Sequence, residues 1–209
     1  MVGQGVLREC VLDPDVERIL SIVRAPSGRR EPKLRELVHN DFFDFSAIEN
    51  ELAGFDACFF CLGISSAGMK EADYRRVTYD ITLAAARVLA RLNPNMTFIY
   101  VSGTGTDSSE KGRSMWARVK GKTENNLLRL TFKGAYMFRP GAIVPLYGAK
   151  SKTKFVQAFY IVLKPVLPLL YAIFPKYVTT TEQIGRAMLT IAKQGAPKSV
   201  LETADINKI

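Results

Sequence analysis

Apolar positions along the chain alternate between two periods. Short, nearly continuous apolar runs appear at RILSIVR (18–24), DACFFCLG (56–63), MTFIYVSG (96–103) and GAYMFRPG (134–141). Runs of this length, bounded by turn residues, predict strands covered on both faces. Between them lie segments with helical spacing. Val2 to Leu12 reads as a helix closed by Asp13 and Pro14. An acidic helix is predicted from Ser46 to about Leu52, and longer ones over 71–92, 114–130 and 179–195. The last has Thr180 or Thr181 as its cap and Gly195 as its stop. A short strand is expected from Leu37 to Asn40, after a loop punctuated by Pro26, Gly28 and Pro32. Strand and helix in alternation predict an α/β fold with a doubly wound, parallel, Rossmann-like sheet.

From residue 150 the pattern changes. FVQAFYIVLKPVLPLLYAIF (155–174) is strongly apolar but interrupted by Lys164, Pro165 and Pro168, and flanked by lysines. It is long enough to approach a bilayer's thickness. Two readings follow: a helical pair packed against the sheet, or a segment lying in a membrane interface. The expected organisation is a nucleotide-binding unit over 1–149 and a small helical, substrate-side part over 150–209.

Composition narrows the classes only modestly. The 209 residues carry 29 basic and 20 acidic side chains, a net charge of +9. Such a balance favours anionic partners. The basic residues are dispersed and no aromatic-basic motif accompanies them, so nucleic acid is not an expected partner. The three cysteines, Cys10, Cys58 and Cys61, give no disulfide framework. Cys58 and Cys61 have metal-binding spacing, but on a strand they point to opposite faces. With His39 the one histidine, no metal site is expected. The N-terminus has no apolar run of the secretory kind, and a cytoplasmic location is expected, with membrane association if 155–174 lies on a bilayer.

The opening stretch, MVGQGVLREC, carries candidate chemistry. Gly3 and Gly5 stand where a helix begins, and a helix N-terminus with its unpaired N–H groups suits pyrophosphate. About twenty residues on, a strand ends at Arg24, followed by Ser27, Arg29 and Arg30. Dinucleotide folds read the adenosine ribose there, an acid selecting NAD and an arginine the 2′-phosphate of NADP. FFCLGISS (59–66) and YVSGTGTDSS (100–109) end buried strands in glycine and hydroxyl turns, where ligands of open α/β sheets bind. Trp116 and Lys120 lie four apart, on one helical face.

Taken together, MVGQGVLRE, IVRAPSGR, HNDFFDF, DACFFCLGISSAGM, YVSGTGTD, WARVKGKTE and FRPGAI resemble the atypical short-chain dehydrogenase/reductase-like proteins. These are NAD(P)-binding, epimerase/dehydratase-like chains near the Tat-interacting oxidoreductase-like group. The resemblance runs over essentially the whole chain. It implies that Gly3 is the third glycine of a TGxxGxxG loop, that Arg24 selects NADP over NAD, and that Asp41 contacts adenine. It further implies that Leu62 and Gly63 pass along the cofactor. Ser102 matches the catalytic-strand serine and Lys120 the lysine that grips the nicotinamide ribose. Arg139, Pro140 and Gly141 match the segment closing over the nicotinamide end.

Two departures from that family stand out. Its members begin with a strand and the first two loop glycines, so this chain is expected to lack the first strand of its sheet. The catalytic motif of the wider superfamily is Tyr-x-x-x-Lys, whereas the register here gives Trp116 at the tyrosine position. An indole N–H does not titrate usefully. The expected function is therefore an NADP-binding Rossmann-type protein, an oxidoreductase or epimerase on a small molecule. The alternative is a non-catalytic nucleotide-binding or membrane-peripheral protein. The proton donor is unassigned, with Tyr79 or a water as candidates, and a homo-oligomer is among the expected states.

Overall fold

A computed structural model of the protein describes residues 1–149 and 176–209. The apolar segment at 155–174, with both of its readings, lies outside the described residues. Among those described, no helix is long and apolar enough to cross a membrane.

The order of elements follows the expected alternation. Helix α1 (Val2–Leu12) leads into β1 (Ile19–Val23) and β2 (Leu34–Val38). A 3-10 helix (Ser46–Leu52) precedes β3 (Ala57–Phe60). The next helical rod comprises α2 (Glu71–Arg75), a π-helical turn (Arg76–Asp80) and α3 (Ile81–Leu92). Then come β4 (Thr97–Val101), α4 (Met115–Leu127), β5 (Gly134–Arg139) and β6 (Ala142–Val144). The final part holds β7 (Val178–Thr180), α5 (Thr181–Gln194), β8 (Val200–Glu202) and α6 (Thr203–Ile206).

Three details differ from the pattern reading. The second strand is Leu34–Val38 rather than Leu37–Asn40, because its parallel register with β1 begins at Ile19 and Leu34. Arg35 and Glu36 interrupt the apolar run there, which hides the strand in the sequence. The long helix contains a π turn that no periodicity signals. The three-residue strands β6, β7 and β8 are too short to show a period.

Among the described residues all strand pairs are parallel, and they form three separate sheets. β1 pairs with β2, a four-stranded sheet runs β3-β4-β5-β8, and β6 pairs with β7. One face of the four-stranded sheet is covered by α1 and α5. There Val6, Cys10, Ile184, Met188 and Ile191 enclose Ile99 and Phe138. On the opposite face α3 and the 3-10 helix pack Ile81, Ala86 and Leu52 against Phe60, Phe98 and Tyr100. Helices on both faces are the arrangement expected of a doubly wound sheet.

Helices α1 and α5 approach closely because glycines face the contact. A methyl group on Gly5 would stand 2.6 Å from Thr181 Cβ, and one on Gly185 2.6 Å from Glu9 Cγ. Thr180 is the α5 cap, accepting the Gln183 N–H at 2.9 Å. Gly195 ends the helix with φ +75°, a conformation glycine adopts at little cost. The residues after 175 thus belong to the same layers as the first 149.

Candidate functional site

The carboxyl ends of β3, β4 and β5 form one polar rim. The rim is tied together by backbone bonds. Ser102 N–H donates to Phe138 O (2.7 Å) and Thr104 N–H to Pro140 O (3.1 Å). The Thr104 hydroxyl donates to Arg139 O at 2.9 Å, and Gly141 N–H reaches Thr203 Oγ1 at 2.8 Å. Gly63 and Gly103 have open space where a side chain would project, so backbone is presented bare at two strand ends. Leu62, beside Gly63, turns inward onto the apolar cluster beneath α3.

Ser102 is buried and its Oγ lies 3.0 Å from Thr106 Oγ1, which also donates to Gly103 O at 2.8 Å. Lys120 projects from α4 toward the same strand end. Its Nζ is 3.4 Å from the Tyr100 hydroxyl and 3.5 Å from Val101 O, and 5.1 Å above the Tyr100 ring. Burial of the ammonium pulls its pKa down to about 8, with the Glu124 carboxylate opposing the shift. Burial also raises the Tyr100 phenol, with Tyr74 and Glu124 nearby adding to it. The phenol at Lys120 is therefore Tyr100. Tyr79 lies elsewhere, lining a pocket of about 210 Å³ with Glu71, Arg75, Arg118 and Lys122.

Trp116 is half-buried against the turn after β4. A methyl on Gly105, which has φ +87°, would meet the indole Cη2 at 3.4 Å. The loop that follows is clamped onto α4. Asp107 accepts from Ser109 N–H and hydroxyl at 3.0 and 2.6 Å and from Gly112 N–H at 2.6 Å. These bonds, the Ser109 hydroxyl first, hold its carboxyl below the usual range. Asp107 O sits so close to Gly121 that any side chain at 121 would collide with it.

Arg139, at the end of β5, is held by a buried carboxylate. Its Nε lies 3.0 and 3.1 Å from the two oxygens of buried Glu124, and its Nη2 also contacts that carboxylate. Nη2 further donates to Ser108 Oγ at 2.6 Å, and Nη1 is 3.4 Å from Glu202. The guanidinium is committed to the ion pair beneath the rim.

Toward the amino-terminal half the candidates are more open. A methyl on Gly3 would lie 3.3 Å from Cys61 Cβ, so this glycine lets the start of α1 approach the end of β3. Such close helix–strand packing is the role of the third glycine in dinucleotide loops. Arg24 is exposed at the end of β1. An acid approaches that loop from the neighbouring strand. Glu36, from β2, accepts from Ser27 N–H (2.8 Å) and Ser27 hydroxyl (2.5 Å). Asp41 closes a turn by accepting the Phe43 N–H at 2.9 Å. The neighbouring His39 is buried, with Nε2 2.8 Å from Asp44 O and its ring 5.2 Å from that of Phe45.

The cysteines occupy opposite layers, Cys58 beneath α3 and Cys61 beneath α1 and α5. Burial raises both thiols to about 12, which makes them poor nucleophiles. Sequence reasoning missed Tyr100, Thr106, Glu124 and Glu36. Tyr100, Glu124 and Glu36 meet partners 20, 15 and 9 residues away, and Thr106 bonds Ser102 across the turn after β4; none of these pairings is announced by an apolar period.

No family profile matches the chain. It is 27% identical to the mitochondrial protein FMP52-2 of Scheffersomyces stipitis over 74% of its length and 66% of that protein's. It is 29% identical to mitochondrial fmp52 of Emericella nidulans over 68% of its length and 63% of that protein's. The chain thus spans just under two thirds of the curated relatives it matches. Among solved structures it resembles Bordetella bronchiseptica WbmG in complex with NAD. The TM-score is 0.68 at 11% identity, covering 100% of this chain and 72% of that one. A UDP-galactose 4-epimerase gives 0.65 at 15% identity, covering 96% and 72%. A short-chain dehydrogenase/reductase-family oxidoreductase of Burkholderia thailandensis gives 0.62 at 14%, covering 95% and 85%. The fold is that of the short-chain dehydrogenases and epimerases. The expectation of a cytoplasmic location is corrected by the relatives, which are named as mitochondrial proteins.

Proposed function

We propose that this chain holds a nicotinamide dinucleotide across the carboxyl ends of β1, β3, β4 and β5, and that it prefers NADP to NAD. The observation that carries the reading is the Lys120 ammonium, desolvated at the end of β4 beside buried Ser102 and next to bare backbone at Gly103. Lys120 would donate to ribose hydroxyls, and Gly63 and Gly103 would let the cofactor lie against backbone. The N-terminus of α1 offers positive dipole to the pyrophosphate. Arg24, Arg29 and Arg30 would receive a 2′-phosphate, and Asp41 would meet adenine with the oxygen its turn leaves over. The bound group would supply hydride chemistry. The relatives' names support a mitochondrial setting for this protein too.

Among the protein groups, Ser102 would polarise a substrate carbonyl and Lys120 would orient the ribose. The proton is the difficulty for an oxidoreductase or epimerase. Trp116 cannot donate one, and Tyr100 lies beneath Lys120, buried. Lys120, whose pKa burial lowers to about 8, is a titratable group at the rim and suits proton transfer in its place. A second reading, nucleotide binding without turnover, is favoured by Trp116 covering Gly105 where a phenol would serve.

Calorimetric titration with both nucleotides tests the proposal. NADP should bind more tightly than NAD by about 10- to 100-fold, the worth of a charge-assisted contact, and Arg24→Ala should abolish the difference. Equal affinities, or tighter NAD, would overturn the preference. Lys120→Ala should weaken both nucleotides; unchanged affinity would remove Lys120 from the site. Turnover with a panel of carbonyl substrates, absent in the parent and gained in Trp116→Tyr, would decide for binding alone.

A further inference from the structure

Lys120 reaches the carboxyl end of β4 without a counter-ion. Among the described residues no carboxylate stands within ion-pair distance of its Nζ. The acid one turn along α4, Glu124, gives both carboxylate oxygens to Arg139 instead. What the ammonium does meet is weak. The Tyr100 hydroxyl at 3.4 Å and Val101 O at 3.5 Å are both longer than an ordinary N–H···O bond, and the Tyr100 ring is 5.1 Å away. The phenols around it carry no charge. Burial raises Tyr100 on β4, and raises Tyr74, which acts on Tyr100 from α2. A desolvated ammonium with no carboxylate partner favours the free amine, and the Lys120 pKa falls to about 8 accordingly.

The same strand end is open. Lys120 is half-buried rather than sealed, and Gly103 has free space where a side chain would project. Ser102 Oγ and Thr106 Oγ1, 3.0 Å apart, place a pair of hydroxyls one residue beyond the carbonyl that Lys120 touches. A small molecule on the Gly103 backbone therefore has hydroxyl donors and an unpaired amine for neighbours. Desolvated lysines of this kind are the ones that attack carbonyl carbon.

We propose that Lys120 captures small aldehydes, its Nζ forming an imine with a carbonyl held at the Ser102–Gly103 rim. The neutral amine attacks the carbonyl carbon. The C–N bond forms and the π electron pair moves to oxygen, where the Ser102 and Thr106 hydroxyls can donate. That oxygen then leaves as water and the C=N bond forms. Counted from the ammonium, two of its three protons depart in the water and one stays on the iminium nitrogen. No oxidant or reductant is consumed. An aldehyde is the least hindered carbonyl, which suits a lysine that burial leaves only partly exposed. The step stands on the surroundings of the lysine and needs no nucleotide. It uses the amine that the nucleotide reading assigns to ribose, so imine and bound NADP exclude each other.

Borohydride trapping on the full chain tests it. The protein is equilibrated with propanal in the absence of nucleotide and quenched with borohydride, and each alkylated lysine is read by peptide mass spectrometry. Near neutral pH an amine that loses its proton near 8 holds on the order of 100 times more free base than one that loses it near 10.5. Lys120 should therefore be trapped about tenfold or more beyond exposed Lys133 and Lys208. Its trapped fraction should level off above about pH 8, while that of Lys133 keeps rising to about pH 10. Trapping at Lys120 no greater than at Lys133, or without that plateau, would overturn the proposal. A severalfold loss in Ser102→Ala supports the rim as the place of the carbonyl, and no loss overturns that placement. A further arm adds saturating NADP. Loss of trapping at Lys120 then supports both uses of the lysine, whereas trapping that persists supports capture and counts against the nucleotide reading alone.

Discussion

Strands β1 and β4 have the same length and nearly the same character, yet they live in different environments. β4 (TFIYV) is buried at its first four positions, while β1 (ILSIV) is half-exposed at all five. Among the described residues β4 has a hydrogen-bonded neighbour on each side and β1 has one. For these two strands, burial follows the number of paired neighbours more than hydrophobicity. The same contrast separates the two ends of the candidate site. Around β4, Lys120, Ser102 and Arg139 are fixed by buried contacts. Around β1, Arg24 and Ser27 lie exposed on a loop held by one carboxylate.

The largest test of that contrast removes one side chain from each strand. Phe98→Ala, at a fully buried site, should cost about 3–5 kcal/mol in denaturant unfolding. Ile22→Ala should cost less than half as much, because part of its surface already meets water. Equal losses would mean that the edge of β1 is sealed. The ion pair under β5 gives a second test. Glu124→Gln leaves Arg139 buried without a full counter-charge and should cost about 3–5 kcal/mol. Arg35→Ala, which breaks an exposed pair with Glu51 on β2's side, should leave the unfolding midpoint unchanged.

Lys120 sharpens the comparison through pH. Its folded pKa of about 8 lies below the unfolded value of 10.5, so the native state binds fewer protons between those limits. Stability should therefore rise as pH increases from about 8 to 10.5, and the full penalty applies below 8. The interval of roughly 2.5 units corresponds to about 3 kcal/mol at most. Lys120→Met should be more stable than the parent at pH 7, with the gap closing by pH 10.5. A gap that does not change with pH would place the ammonium in water.

A smaller effect is expected where α1 meets α5. Gly5→Ala forces a methyl against Thr181 and should cost about 1–3 kcal/mol. Thermal unfolding of that variant separates a close helix contact from a phosphate-binding role, since the loss should appear without any nucleotide.

Much of the fold was legible in the chain. The apolar runs at 56–63, 96–103 and 134–141 locate β3, β4 and β5, and the helical periods locate α1, α3, α4 and α5. Thr180, Gly195, Ser102 and Lys120 carry local signals, because caps, stops and strand-end hydroxyls act within a few residues of themselves. The sequence by itself therefore determined the longer elements, their parallel class and the rim where a ligand would lie, while β2 and the three-residue strands carried no readable period. What only the tertiary structure decided were the long-range partners. Arg139 is claimed by Glu124, Ser27 by Glu36 and Lys120 by Tyr100, and Gly5 faces a helix that begins at Thr181. Periodicity reports which side of an element is apolar, but hydrogen-bond pairing and charge pairing depend on which distant segment arrives there.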